Sequence, residues 1–129
     1  MATDNLLVVE DEARVGDLFR MVAQSCGYEV CVVFDAPTCK RALEFFHPTV
    51  ISLDFDAPRT EGAGLLQFLA DSDCKAQILI ASRSGERVAD SALRSGKERG
   101  LIMAGWILKP VRVEPLRAIL LRLRIKHRR

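Results

Sequence analysis

No apolar stretch in the chain approaches the roughly 20 residues that a membrane-spanning helix needs. The N-terminus carries no signal-peptide pattern, because Asp4 and Glu10 flank only a short apolar run. Neither a helical membrane span nor a secretory leader is expected, and the expected location is cytoplasmic. Cysteine is sparse: Cys26, Cys31, Cys39 and Cys74 show no C-x-x-C spacing and no nearby histidine. Neither a zinc site nor a redox pair follows, and the four read as buried, reduced thiols. There are two histidines, His47 and His127, and neither closes an apolar run, so no histidine stands where an acid or base would be placed. Internal repeats, low-complexity segments and signs of a second domain are also missing.

What is present is one ordinary domain's worth of chain. The 129 residues are long enough to bury a core, and 49% hydrophobic with 28% charged residues is a globular composition rather than a disordered one. The net charge of +2 is uneven, since residues 122–129 hold five of the 19 Lys and Arg and no acid. Arg122, Arg124, Lys126, Arg128 and Arg129 read as the solvated end of a last helix or the start of a linker. Nucleic acid is not indicated, because no aromatic residue is interleaved with these charges.

Short apolar runs alternate with helical patterns throughout, the signature of a parallel sheet covered on both faces. Strands are expected at Asn5 to Val9, Tyr28 to Phe34, Val50 to Leu53, Ile78 to Ala81 and Ala104 to Leu108. After the first, Val15, Leu18, Phe19, Val22, Ala23 and Cys26 recur at helical spacing and Gly27 stops the helix. Asp35 can cap a second helix, with Pro37 in its first turn and Leu43 and Phe46 on its buried side. Further helices are expected around Leu65 to Ala70, over Glu86 to Arg99 with Gly100 as its stop, and on the stripe Leu116, Ile119, Leu120 and Leu123.

The strand ends carry the chemistry. Val50-Ile51-Ser52-Leu53 closes on Asp54, with Asp56-Ala57-Pro58 behind it, and Leu6-Leu7-Val8-Val9 closes on Glu10-Asp11-Glu12. Ser82 follows the fourth run and Lys109 the fifth. In an open parallel sheet all the carboxyl ends share one edge, where ligands bind. Several carboxylates in one place repel each other, and either a raised pKa or a bound cation relieves the repulsion. Oxygen-only ligands favour magnesium or calcium over zinc.

Taken in order and at their separations, Val8-Val9-Glu10-Asp11-Glu12, Asp54 with Pro58 and Gly62 behind it, Ser82, and Trp106 before Lys109-Pro110 resemble the receiver domain of two-component response regulators. The resemblance runs from about Asn5 to Leu123. It implies an α/β fold: a flavodoxin-like, doubly wound, five-stranded parallel sheet in strand order 2-1-3-4-5 with five helices. A receiver domain over residues 1–123 would be followed by a basic C-terminal tail, or the start of a linker, over 124–129.

The resemblance also implies site roles. Asp54 would be the phosphoacceptor. Mg2+ would be held by Asp11 and Asp54 directly, by Glu10 through water, and by the backbone carbonyl of Asp56, while Glu12 would start the first helix instead of binding metal. Lys109 would reach a phosphoryl oxygen, and the bond before Pro110 would be cis. Ser82 would be the switch hydroxyl and Trp106 the aromatic that moves with it. Three residues depart from the usual pattern: Asp56 adds a charge beside the acceptor, Ala57 stands where methionine is common, and Arg83 follows the serine where a small residue is usual. The stretch from Ser82 to Lys109 is longer than in many receivers, a feature similar to receivers joined to cyclic-di-GMP phosphodiesterase domains.

The partner implied is a sensor histidine kinase or phosphotransfer protein. An output domain outside this chain and a homodimer through the fourth helix, fifth strand and fifth helix are further expectations, the latter supported by the apolar pair Leu121 and Ile125. Two other classes compete: a receiver-like scaffold that is never phosphorylated, and a magnesium-dependent phosphatase or phosphotransferase with an aspartate nucleophile.

Overall fold

The computed structural model describes residues 3–127, with side chains to Arg124. Its elements alternate: β1 (Asn5–Val9), α1 (Ala13–Ser25), β2 (Glu29–Val33), α2 (Ala36–Ala42), β3 (Val50–Asp54), α3 (Gly62–Asp71), β4 (Gln77–Ser82), α4 (Glu86–Glu98), β5 (Ile102–Leu108) and α5 (Val113–His127), with a 3-10 turn over Pro58–Thr60. The five strands form one sheet in the order β2-β1-β3-β4-β5, and each pairing is parallel.

Strand alternation builds two cores. Leu7, Val9, Ile51, Leu53, Ile78 and Ile80 face one way, against Leu65, Leu66 and Leu69 of α3 and the small residues Ala36, Cys39 and Ala42 of α2. Leu6, Val8, Val50 and Leu79 face the other, against Phe19 and Val22 of α1 and Leu116, Leu120 and Leu123 of α5. Each fully buried aliphatic side chain contributes about 2 kcal/mol by leaving water, so both faces of the sheet must stay covered. No helix of the described residues is long and apolar enough to cross a membrane. All four cysteines are free, and burial, reinforced by Cys31 and Cys74, pushes the Cys39 thiol up to about 11, which keeps it protonated.

Two expectations needed correction. The second helix starts as expected: the Asp35 side chain accepts from the Thr38 backbone N–H at 2.9 Å, and Pro lies in the first turn. It ends at Ala42, however, so Leu43 and Phe46 are half-buried residues of the turn beyond it. There the backbone tightens to three-residue bonds, Glu44 N–H to Arg41 C=O and Phe45 N–H to Ala42 C=O, and Pro48 follows too soon for another turn. The fifth strand begins at Ile102 rather than Ala104, and a bulge inside it sets Met103 opposite Ile78 and Gly105 opposite Leu79, leaving Ala104 unmatched. Gly105 takes this kink with φ +135°, a value closed to most side chains.

The backbone of α5 runs on to His127, so it takes in most of the segment from 124 onward. Arg124 is anchored: its guanidinium donates to Asp4 Oδ2 and to the Cys26 carbonyl, each at 2.7 Å. The side chain of Ile125, and Arg128 and Arg129 altogether, lie outside the described residues.

Candidate functional site

The two-residue period of the strands decides which side chains meet at the carboxyl edge. Leu6, Val8 and Glu10 lie on one side of β1, and Val50, Ser52 and Asp54 on the same side of β3. The acid that ends each run thus continues the stripe facing α1 and α5, and adjacent parallel strands put Glu10 and Asp54 side by side. Both are buried, at 1% exposure.

Lys109, just past β5, has to cross the end of β4 to reach them. It can because β4 presents only the methyl group of Ala81 opposite Asp54. The Lys109 backbone N–H donates to the Ser82 carbonyl at 2.9 Å, which aims the side chain inward. Its ammonium then lies 3.0 Å from Asp54 Oδ2, 3.1 Å from both Glu10 oxygens and 3.3 Å from Glu12 Oε1. Burial alone would push this ammonium's pKa down, but the bonds and charges of Asp54 and Glu10 outweigh it and hold it above the ordinary lysine value. Glu10 goes the other way. Burial raises its carboxyl to about 7, with the neighbouring Asp54 adding to the rise and Lys109 opposing it.

Above this buried layer is a cavity of about 280 Å³ lined by Asp11, Glu12, Asp54, Asp56, Ala57, Pro58, Arg83 and Lys109. Glu10, Asp11 and Glu12 each offer an oxygen, and the three oxygens lie within 4.8 Å of one another. Asp54 Oδ1 is buried and has no hydrogen-bond partner among the described residues. An orphaned carboxylate oxygen beside an all-oxygen acidic cluster fits a hard divalent cation, which prefers such donors and keeps waters in its remaining positions.

Asp56 turns its carboxylate away to the neighbouring loop. Oδ1 accepts from the Ser82 hydroxyl at 3.0 Å and the Ser84 hydroxyl at 3.2 Å, and Oδ2 accepts from the Arg83 backbone N–H. Partial burial pushes this carboxyl up, and the three donors outweigh it and hold its pKa below the usual carboxylate value. The Arg83 guanidinium pairs with Glu12 Oε1 at 2.7 Å, closing a bridge Arg83–Glu12–Lys109 over the acids.

The sequence reading placed Asp54, Glu10, Asp11, Ser82 and Lys109 at one rim, and the fold brings all five to it. Trp106 is not among the cavity residues; it pairs opposite Ile80 and packs half-buried against the cluster on the α3 side. The Lys109–Pro110 bond is cis. Glu12 caps α1 with its backbone, as an acid at a helix start would, while its side chain reaches back to Lys109 and Arg83.

One supporting residue, Thr60, and one side-chain role, that of Asp56, escaped the sequence reading. The buried Thr60 hydroxyl donates to the Asp54 and Ala57 carbonyls and fastens the loop behind Asp54. The Asp56 side chain, expected only as an added charge, is the principal tie of the β4–α4 loop. A threonine six residues past an acid has no periodic signal, and a contact between two loops has none either. Gly62 has a plain reason: a Cβ there would sit 2.6 Å from the Phe55 ring.

Sheet order and helix placement together are the fold of the receiver domains of two-component response regulators. Among solved structures, a Francisella response-regulator receiver domain superposes with a TM-score of 0.81 at 19% identity, covering 96% of this chain and 98% of that one. The chemotaxis response regulator CheY4 of Vibrio cholerae gives 0.81 at 19% identity, covering 95% and 99%. A curated relative, protein-glutamate methylesterase/protein-glutamine glutaminase 5 of Myxococcus xanthus, is 33% identical over an alignment of 95 residues that covers 70% of this chain. The chain spans only 27% of that relative's length. No protein-family model matches the chain.

Proposed function

We propose that the chain is a phosphoacceptor receiver module in which Asp54 takes a phosphoryl group from the phosphohistidine of a partner kinase or phosphotransfer protein. A carboxylate oxygen of Asp54 attacks phosphorus, a P–O bond forms as the P–N bond to the donor imidazole breaks, and the departing imidazole takes up a proton. Little covalent work falls to the protein, so positioning and charge neutralisation carry the catalysis. The observation that supports this best is Lys109: one ammonium held between Asp54 and Glu10, close enough to follow a phosphoryl oxygen without leaving the site.

Asp11, Asp54 and the Asp56 carbonyl would hold Mg2+, with Glu10 acting through water beneath them. The ion supplies Lewis-acid neutralisation of phosphoryl charge when bound. Ser82 would donate its hydroxyl to the new phosphoryl group, and the α4–β5–α5 face, including Trp106, would change its partner preference. That face would also pair two copies, since Leu108 on β5 and Leu121 on α5 are 52% and 41% exposed. Residues past 123 would lead toward an output domain, and the module would work in the cytoplasm. The activity named for the Myxococcus relative stays with that relative. Here the module catalyses only its own phosphorylation and dephosphorylation.

Intact-mass measurement after incubation with acetyl phosphate and Mg2+ tests the reading. The wild-type chain should gain one phosphoryl group and Asp54→Asn none. No gain in the wild type would favour a scaffold that is never phosphorylated.

A further inference from the structure

Three consecutive residues, Ser82 at the end of β4 and Arg83 and Ser84 just past it, converge on one carboxylate. A carboxylate only accepts, so the Ser82 hydroxyl must donate its single proton to Asp56, and its own oxygen accepts from the Ser84 N–H at 3.1 Å. The serine's single proton is thereby committed to the β3–α3 loop, and its oxygen accepts from the β4–α4 loop. The same carboxylate holds the Arg83 backbone N–H, and this fixes where the Arg83 side chain departs to meet Glu12 across the cavity. One acid from the β3–α3 loop therefore sets both the direction of the serine proton and the position of the arginine over the acceptor.

This arrangement conflicts with a phosphorylated Asp54. A phosphoryl group arriving in the cavity that Asp56 also lines brings negative charge toward a second anion and needs hydrogen-bond donors. The Ser82 proton cannot serve both. We infer that Asp56 is a carboxylate latch: it holds Ser82 and the β4–α4 loop in the unphosphorylated arrangement and must release them for the phosphoryl group to be bound. Asp56 is thus a positioning residue acting through Ser82, and the inference rests on the receiver reading above. A ligand that requires a minor arrangement binds more weakly by the fraction of molecules that adopt it. Removing the latch therefore strengthens binding of any phosphoryl mimic.

The probe is beryllofluoride with Mg2+, a stable phosphoryl analogue, titrated against wild type, Asp56→Ala, Ser82→Ala and the double variant. Asp56→Ala should bind it on the order of tenfold more tightly. In the Ser82→Ala background the gain should disappear, because the competition for that proton is gone. A gain of the same size that persists there would show that Asp56 does not compete for the Ser82 proton and would overturn the latch. Amide exchange of the loop around Arg83 and Ser84 supplies a readout that needs no phosphoryl chemistry: it should speed up about tenfold in unliganded Asp56→Ala. Unchanged exchange with normal wild-type beryllofluoride binding overturns the latch alone. Wild-type protein that takes neither beryllofluoride nor a phosphoryl group overturns the receiver reading, and the switching role with it.

Discussion

Lys109 Nζ lies 3.0 Å from Asp54 Oδ2, with both side chains almost wholly withdrawn from solvent. A buried ion pair adds little net stability compared with an apolar pair, but stranding one member is costly. The pair is thus poor evidence of a structural clamp and is consistent with the phosphoryl-accepting site proposed above.

Lys109→Met should consequently destabilise the chain on the order of 3 kcal/mol at pH 8, where Asp54 and Glu10 would be left facing each other unpaired. Near pH 5.5 the loss should shrink, because Glu10 can hold a proton there. Urea unfolding at the two pH values measures the difference, and equal losses would contradict the charge argument.

Glu10 also makes the metal-free protein sensitive to pH. Its carboxyl is raised from 4.5 to about 7 by burial first and by Asp54 second, so the folded state binds the proton more tightly than the unfolded chain. The resulting stabilisation is complete below pH 4.5 and is lost as pH rises through 7. Asp35 and Asp56 are lowered and act below this window, while Lys109 is raised and acts above it. With chelator present, the urea midpoint should fall between pH 5.5 and 8, and Glu10→Gln should flatten the slope.

Asp11→Asn should weaken Mg2+ binding at least tenfold, because a charged oxygen is withdrawn from a cluster with few to spare. Isothermal titration reads this directly. Trp106 does not line the cavity, so its fluorescence is the weaker probe. Unchanged affinity would remove Asp11 from the site.

Gly62→Ala forces a methyl group against the Phe55 ring, next in sequence to the acceptor. The clash should cost about 1–2 kcal/mol in urea unfolding and slow phosphorylation, since Phe55 is tied to β4 through its N–H to the Ala81 carbonyl.

Much of this was legible in the residues, for physical reasons. Parallel strands buried on both faces read as continuous apolar runs, so all five strands could be anticipated, the resemblance to receivers supplied their order, and the acids, Ser82 and Lys109 fell at the run ends. Residues whose placement depends on contacts between loops carried no such signal. The Asp56 carboxylate finds its partners 26 to 28 positions away, and the bulge at Ala104 depends on a register that only the paired β4 reveals. The end of α2 at Ala42 follows from a tightened last turn, although Leu43 and Phe46 kept an apparent helical spacing.

Leu121→Glu with Ile125→Glu should shift the phosphorylated protein toward monomer in sedimentation while leaving acceptance of the phosphoryl group intact. Leu121 on α5 and Leu108 on β5 are both exposed, and exposed apolar residues of this kind pair copies. A parent protein that is monomeric at high concentration in both states would reject the dimer.

The most direct test of the central claim locates the phosphoryl group. Protein incubated with acetyl phosphate and Mg2+ is treated with borohydride, which reduces an acyl phosphate on aspartate to homoserine, and the peptides are then mapped by mass. The account predicts homoserine at position 54, absent when phosphodonor is omitted and absent in Asp54→Asn. Reduction at any other aspartate, or none in a protein that has demonstrably gained phosphate, would contradict it.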